Sequence, residues 1–213
     1  DVRGDITADG CINILDLARE HDARFLLASS GAVYGERTGK PIIETDPFAP
    51  ISPYGVSKWA AEEYVRLYRR LHGIDATILR IFNAFGPRQI RFVVYDFARK
   101  ILQAGSQVSV LGSGNQVRTQ LFVLDAVEAF KMVALRGTDP VYNIGSANPI
   151  LVSDLMEKML VTFGARKHVT VTGSSWRGDI QQLVPDTTRL RSLGFREKYT
   201  LEAGLRLFAD WVL

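Results

Sequence analysis

Arg24-Phe25-Leu26-Leu27-Ala28-Ser29-Ser30-Gly31-Ala32-Val33-Tyr34-Gly35 is a short apolar run that breaks off in two serines and a glycine-bounded turn. A run this short, apolar on consecutive positions, fits a strand buried on both faces. The strand is expected over 24–29. Just upstream, residues 11–21 (CINILDLAREH) place Ile12, Leu15, Leu17 and Ala18 near one helical face. Downstream, a Gly- and Pro-rich loop over 30–53 leads to a helix over 54–71, with Ala60, Ala61, Tyr64, Val65 and Tyr68 as candidate buried positions. Residues 76–81 (ATILRI) form a second β-rich run. Strands alternating with helices imply parallel pairing through right-handed crossovers.

Beyond Gly86-Pro87-Arg88 the pattern is less regular. A helix is expected over 92–103, a strand over 108–111, and then the loop Gly112-Ser113-Gly114. A helix over 125–135 would take Asp125 as its N-cap. A strand over 141–144, a helix over 152–163 started by Ser153 or Asp154, a strand over 169–171 and two short helices complete the chain. No repeat or linker separates the halves, so they are expected to interlock.

Composition narrows the function classes. The 26 Lys and Arg against 23 Asp and Glu give a formal charge of only +3, spread along the chain, where a nucleic-acid binder would carry a dense basic stripe. The single cysteine, Cys11, cannot close an internal disulfide, which fits a cytoplasmic setting. No apolar run approaches the roughly 20 residues of a membrane span. The polar opening DVRGDITADG is no signal peptide, and without an initiator Met it hints at a start further upstream.

The chemistry centres on Tyr54-Gly55-Val56-Ser57-Lys58. Tyr54 and Lys58 stand one helical turn apart on the same face. An ammonium near a phenol stabilises the phenolate and lowers the phenol's pKa from about 10. A phenol tuned this way can take a proton from a sugar hydroxyl. In a parallel α/β sheet ligands bind at the carboxyl ends of the strands, where Ser30 would offer a hydroxyl to a reacting oxygen.

Together these residues resemble the Ser–Tyr–Lys triad of the extended short-chain dehydrogenase/reductases, in the NAD-dependent epimerase/dehydratase branch. Five further stretches match that branch in order: Ser52-Pro53-Tyr54-Gly55-Val56-Ser57-Lys58, Leu79 to Arg88 (LRIFNAFGPR), Val110 to Gly114 leading to Arg118, Val141-Tyr142-Asn143-Ile144-Gly145, and Arg177-Gly178-Asp179. The resemblance implies the C-terminal part of a Rossmann-like doubly wound parallel sheet (α/β) interlocked with a smaller α/β substrate-binding lobe. Residues 1–88 would be the remainder of the NAD-binding domain and 89–213 mainly the nucleotide-sugar lobe. It also implies roles. Tyr54 is the acid/base, and Lys58 supports it and binds the nicotinamide ribose. Ser30 bonds the sugar oxygen, and Ser29 and Ile81 flank the nicotinamide half of the cofactor. Asn83, Arg118 and Arg177 hold the sugar-nucleotide diphosphate, and Asp179 orients Arg177. NAD is the implied cofactor, a UDP-sugar the implied substrate and a homodimer the implied assembly, with no metal, nucleic acid or membrane partner.

The departures matter as much. Where the 4,6-dehydratases and decarboxylases of this superfamily carry acidic residues after the serine, Gly31 and Ala32 stand here with no proton to give. That pattern resembles the 4-epimerases. Thr119 and Gln120 follow Arg118 where Asp is common, and Thr7 stands about where Asn is common. The glycine-rich turn that receives the NAD pyrophosphate in this family has no counterpart among the 213 residues. About 80–100 residues, some three strand–helix units, are therefore expected upstream. The leading expectation is an NAD-dependent 4-epimerase of nucleotide sugars. A dehydratase or reductase of the same family, and a non-catalytic remnant that binds a nucleotide sugar or a partner chain, are the alternatives.

Overall fold

The computed structural model describes residues 2–174 and 179–213, with side chains from residue 9 onward. In chain order its elements are α1 (Val2–Glu20), β1 (Phe25–Ser30), a short 3-10 helix (Gly31–Tyr34), α2 (Pro53–His72), β2 (Ala76–Ile81), β3 (Ala84–Phe85), α3 (Phe92–Gln103), β4 (Gln107–Val110), β5 (Val117–Thr119), β6 (Leu121–Phe122), α4 (Val123–Arg136), β7 (Val141–Ile144), β8 (Pro149–Leu151), α5 (Val152–Thr162), β9 (His168–Val171), β10 (Gln182–Leu183), α6 (Thr188–Ser192) and α7 (Leu201–Val212).

The organising sheet has the order β1-β2-β7, all parallel. Its register sets Ser30 beside Ile81 and Ile81 beside Ile144, so the three strands end level. Phe25 and Leu27 point to α1 and α2, where they meet Cys11, Leu15, Ala61 and Val65. On the other face Leu79, Tyr142 and Ile144 pack with Ala129 and Val133 of α4. Burial on both faces is why the strands read as mainly apolar runs rather than alternating ones. It is a Rossmann-like α/β arrangement.

Helix α2 starts and stops where its sequence says. The Ser52 hydroxyl accepts the Gly55 N–H at 3.1 Å, Pro53 takes a first-turn position, and Gly73 ends the helix in the left-handed region at φ 68°. A side-chain cap, an early proline and a closing glycine are the three standard boundary signals.

The second half feeds two structures. Strand β7 and helix α4 return to the main sheet, whereas α3, α5 and α7 enclose a separate core around Phe97, Met156, Leu205 and Phe208, beside the parallel pair β4–β9. The short pair β3–β6 joins the two regions, with Phe85 set edge-on to Phe122 at 5.6 Å.

Several expectations are corrected. Helix α1 begins at Val2 and not at Cys11; once a helix is nucleated each further residue adds a hydrogen bond, so polar residues ahead of an apolar stripe can join it. Asp125 is not the cap of α4, which starts after Phe122. Its carboxylate lies inside the first turn and accepts the backbone N–H of Lys198 and Tyr199 at 3.0 and 3.1 Å. Neither Ser153 nor Asp154 caps α5, whose first N–H groups, on Val152 and Ser153, reach the carbonyls of Gln116 and Gly114. In α5 tertiary carbonyls serve the helix end that a local side chain was expected to serve, and in α4 the expected cap is engaged elsewhere.

Candidate active site

The site lies where the three parallel strands end. After β1 the chain turns into the 3-10 helix, which Ser30 caps by accepting the Ala32 N–H at 3.2 Å. The hydroxyl proton of Ser30 stays available to donate. The 3-10 turn sits tightly against its neighbours. A Cβ on Gly55 would come within 2.7 Å of the Ala32 carbonyl oxygen, and one on Gly31 would meet the Phe82 ring at 3.0 Å. Both glycines therefore serve close approach, and Gly55 brings the first turn of α2 onto the end of β1.

That first turn carries Tyr54, which is 53% exposed at the lip of the site. Lys58 lies one turn further in. Its ammonium donates to the Ala28 carbonyl at 3.0 Å and stands 5.9 Å from the Tyr54 ring centroid. Phe25 turns its N–H toward β2, so Ala28, three residues on, turns its carbonyl to the opposite edge of β1. Lys58 is thus held at the edge of β1 that faces away from β2. Burial lowers its pKa below the usual lysine value, an effect opposed by the nearby Cys11. Cys11 itself is pushed up to about 11 by burial, against the pull of Lys58. The thiol is neutral and takes no part in the chemistry near pH 7.

Ser29 is buried, and its hydroxyl donates to Glu62 Oε1 at 2.5 Å. Glu62 opens a buried polar network that sequence reasoning missed. Its carboxylate receives Arg80 Nε at 3.0 Å and Nη2 at 2.7 Å, and Arg66 Nη2 at 3.0 Å. Arg80 Nη1 donates to the Tyr34 hydroxyl at 2.6 Å and to the Glu44 carbonyl at 2.9 Å, and Tyr34 donates to Asn143 at 2.8 Å. Burial pushes the Tyr34 phenol up to about 12 even beside the Arg80 guanidinium. Tyr34 is therefore a fixed donor and not a second acid/base. A signal was present: an arginine inside the apolar run ATILRI must find a partner or disrupt the core.

On the far side of the strand ends, Asn83 follows β2. Its carbonyl accepts Leu121 N–H at 2.9 Å, while its Nδ2 is buried without a partner among the described residues. A buried donor left open is the mark of a group awaiting an acceptor. Arg118, on β5, is held by Asp179 at 2.9 Å and by the carbonyls of Val117, Ile180 and Gln181. Burial lowers its pKa, against the pull of Asp179 and Glu36. Asp179 thus pairs with Arg118. Its expected partner, Arg177, lies outside the described residues. Ile81 is half-buried at the level of Ser30, in the centre of the three strand ends. The structure accordingly gathers Ser30, Tyr54, Lys58 and Ile81 around one strand end and places Asn83 at the next turn.

The family model for GDP-mannose 4,6-dehydratase matches residues 2–208. The chain belongs to that family. Its members are NAD-dependent nucleotide-sugar epimerases and dehydratases. A Methanocaldococcus jannaschii protein that provisionally carries the name UDP-glucose 4-epimerase is 35% identical over 98% of this chain, which spans 70% of that protein. A Thermotoga maritima UDP-glucose 4-epimerase solved with UDP-glucose superposes with a TM-score of 0.90 at 29% identity, over 98% of this chain and 70% of its own. The Thermus thermophilus UDP-glucose 4-epimerase solved with NAD gives 0.86 at 29%, over 97% and 69%. Among the described residues no helix is long and apolar enough to cross a membrane, and no cluster could hold a metal ion.

The donors present suit one half of such a family's cofactor. A fixed ammonium, a serine hydroxyl and an apolar residue at the strand ends match a ribose and a nicotinamide ring. No glycine-rich turn for the pyrophosphate occurs in the 213 residues.

Proposed function

We propose that this chain carries the acid/base centre of a nucleotide-sugar 4-epimerase, and that the substrate is a UDP-sugar. The observation that supports the epimerase over the dehydratase reading is Gly31. A Cβ there would meet the nearly fully buried Phe82 ring at 3.0 Å, a tight contact that favours glycine over the acid dehydratases use.

In this reading Tyr54 takes the proton from the 4-hydroxyl of the sugar, and Ser30 donates a hydrogen bond to the same oxygen. NAD, when bound, supplies the acceptor and then the donor of hydride. Lys58 faces the nicotinamide ribose and keeps positive charge near the phenolate. The backbone around Ser29 and Ile81 flanks the nicotinamide. Asn83 Nδ2 bonds a diphosphate oxygen, with Arg118 and Arg177 supplying positive charge beside it. Tyr54 returns its proton after the keto-sugar has turned its other face. Residues 1–88 would be the cofactor half and 89–213 mainly the sugar-nucleotide half.

The test is product analysis with the full chain as its gene encodes it, NAD, and UDP-glucose or UDP-N-acetylglucosamine. The C4 epimer alone is expected. A 4-keto-6-deoxy sugar as the main product would overturn the epimerase assignment, and absence of any turnover across UDP-, dTDP- and GDP-sugars would overturn the catalytic one.

A further inference from the structure

We propose that Glu62 is a positioning residue for the Ser30–Tyr54–Lys58 centre, locking helix α2 in one register against the carboxyl ends of β1 and β2. The proposal rests on the acid/base reading of Tyr54 given above.

Tyr54, Lys58, Glu62 and Arg66 follow one another at four-residue intervals along α2, so they form one slowly winding stripe. The middle two grip adjacent residues of β1. Lys58 holds the Ala28 carbonyl at 3.0 Å, and Glu62 holds the Ser29 hydroxyl at 2.5 Å. The next residue of the strand is Ser30. Around Lys58 and Glu62, Ala61 and Val65 pack apolar surface against the same sheet, and at the far end of α2 Arg69 donates to the Ala76 carbonyl. Apolar packing has no direction and tolerates sliding. Hydrogen bonds to a carboxylate do not. At the end of the helix that bears Tyr54, register is therefore set by polar bonds.

The other oxygen of Glu62 extends the lock to the neighbouring strand. Arg80 is only 1% exposed and Glu62 is 0% exposed, with 2.7 Å between Nη2 and Oε2. The same guanidinium holds Tyr34, at the end of the turn that follows Ser30. One carboxylate thus ties α2 to β1, to β2 and to that turn, which are the elements bearing Tyr54, Ser30 and Ile81. Stability alone is a poor reason for such a pair, because a buried ion pair often gives way to apolar residues at no loss. A fixed geometry is a better one, since misplacement by about 1 Å can cost roughly 10²-fold in rate.

The test compares variants of the full chain. Glu62→Gln leaves Arg80 uncompensated and can fail to fold, so the decisive protein is the double variant Glu62→Leu with Arg80→Met. It should still melt cooperatively, at a midpoint lowered by the hydrogen bonds that Ser29, Tyr34 and the Glu44 carbonyl lose. Its kcat should fall by about 10²-fold, with KM for the sugar nucleotide moved by no more than about two-fold. In its crystal structure the distance from Tyr54 Oη to Ser30 Oγ should change by about 1 Å. A folded double variant with kcat near the unchanged value, or one whose α2 superposes on the original, overturns the proposal. If the double variant does not fold, Ser29→Ala decides, because it deletes one arm and keeps the ion pair: kcat should drop, and Ser29→Thr should restore it. No drop overturns the proposal. If the unchanged chain turns over no nucleotide sugar, the catalytic reading fails by itself, and the crystal structure alone judges Glu62.

Discussion

Replacing Tyr54 by Phe removes one oxygen from a side chain that is 53% exposed and stands at the rim of the sheet. Lys58 sends its ammonium to the Ala28 carbonyl, so it does not depend on that oxygen for a hydrogen bond. Stability should therefore stay within about 0.5 kcal/mol of the original. Turnover should not. A positioned acid/base contributes about 10²–10⁴ in rate, which is about 2.7–5.5 kcal/mol of barrier. Lys58→Met gives the contrasting result. It keeps the apolar stem but frees the Ala28 carbonyl, at a stability cost of about 1 kcal/mol, and it should weaken NAD binding together with turnover. The assay is interconversion of UDP-glucose and UDP-galactose by the full chain with NAD, followed by chromatography of the sugar nucleotides, with a thermal melt of each variant. Near-normal turnover in a folded Tyr54→Phe protein would refute the acid/base assignment. Loss of turnover explained by unfolding would refute the claim that the phenol lies outside the core.

Gly31→Asp should destabilise the fold by about 1–3 kcal/mol through overpacking, because its Cβ starts 3.0 Å from the Phe82 ring; urea denaturation measures the loss, and no dehydration product should appear. In alkali two groups weaken the fold. Cys11 is raised from 9.0 to about 11 and Tyr34 from 10.0 to about 12, so the folded state holds its protons longer, and this stability is lost as pH rises through 9–11 and 10–12 respectively. Lys58, lowered by burial, acts in the opposite sense, since its folded state sheds a proton below 10.5 and gains as pH rises toward that value. Cys11→Ala should flatten the pH dependence between 9 and 11, and denaturation curves that stay parallel to the original across this window would count against a buried neutral thiol. Ile14, Leu17, Leu67 and Leu71 are exposed on α1 and α2. The full chain should therefore sediment as a homodimer at micromolar concentration, and Leu71→Glu with Leu17→Glu should shift it to monomer.

The parallel sheet was legible because its strands are buried on both faces. ATILRI and VYNI are rich in β-branched, aromatic and aliphatic residues, and the structure puts strands over Ala76–Ile81 and Val141–Ile144 as expected. Helix α2 was legible because its boundary signals are local: Ser52, Pro53 and Gly73 act within a few residues of where they stand. The motif order likewise carried the family, since it depends on residue identity and spacing alone. The limits of α4 and α5 were not legible. Their first N–H groups and nearby carboxylates find partners on distant loops, as when Asp125 meets Lys198 and Tyr199. Nor could the sequence show where the Ser29 side chain goes. Adjacent residues of a strand face opposite ways, and only the packing of α2 against one face decides that the first serine meets Glu62 while the second faces the site. Residue types and their order gave the sheet, the helix carrying Tyr54 and Lys58, and the family. The tertiary structure alone joined Glu62, Arg80, Tyr34 and Asn143, because a hydrogen bond between residues as much as 109 positions apart leaves no local pattern to read.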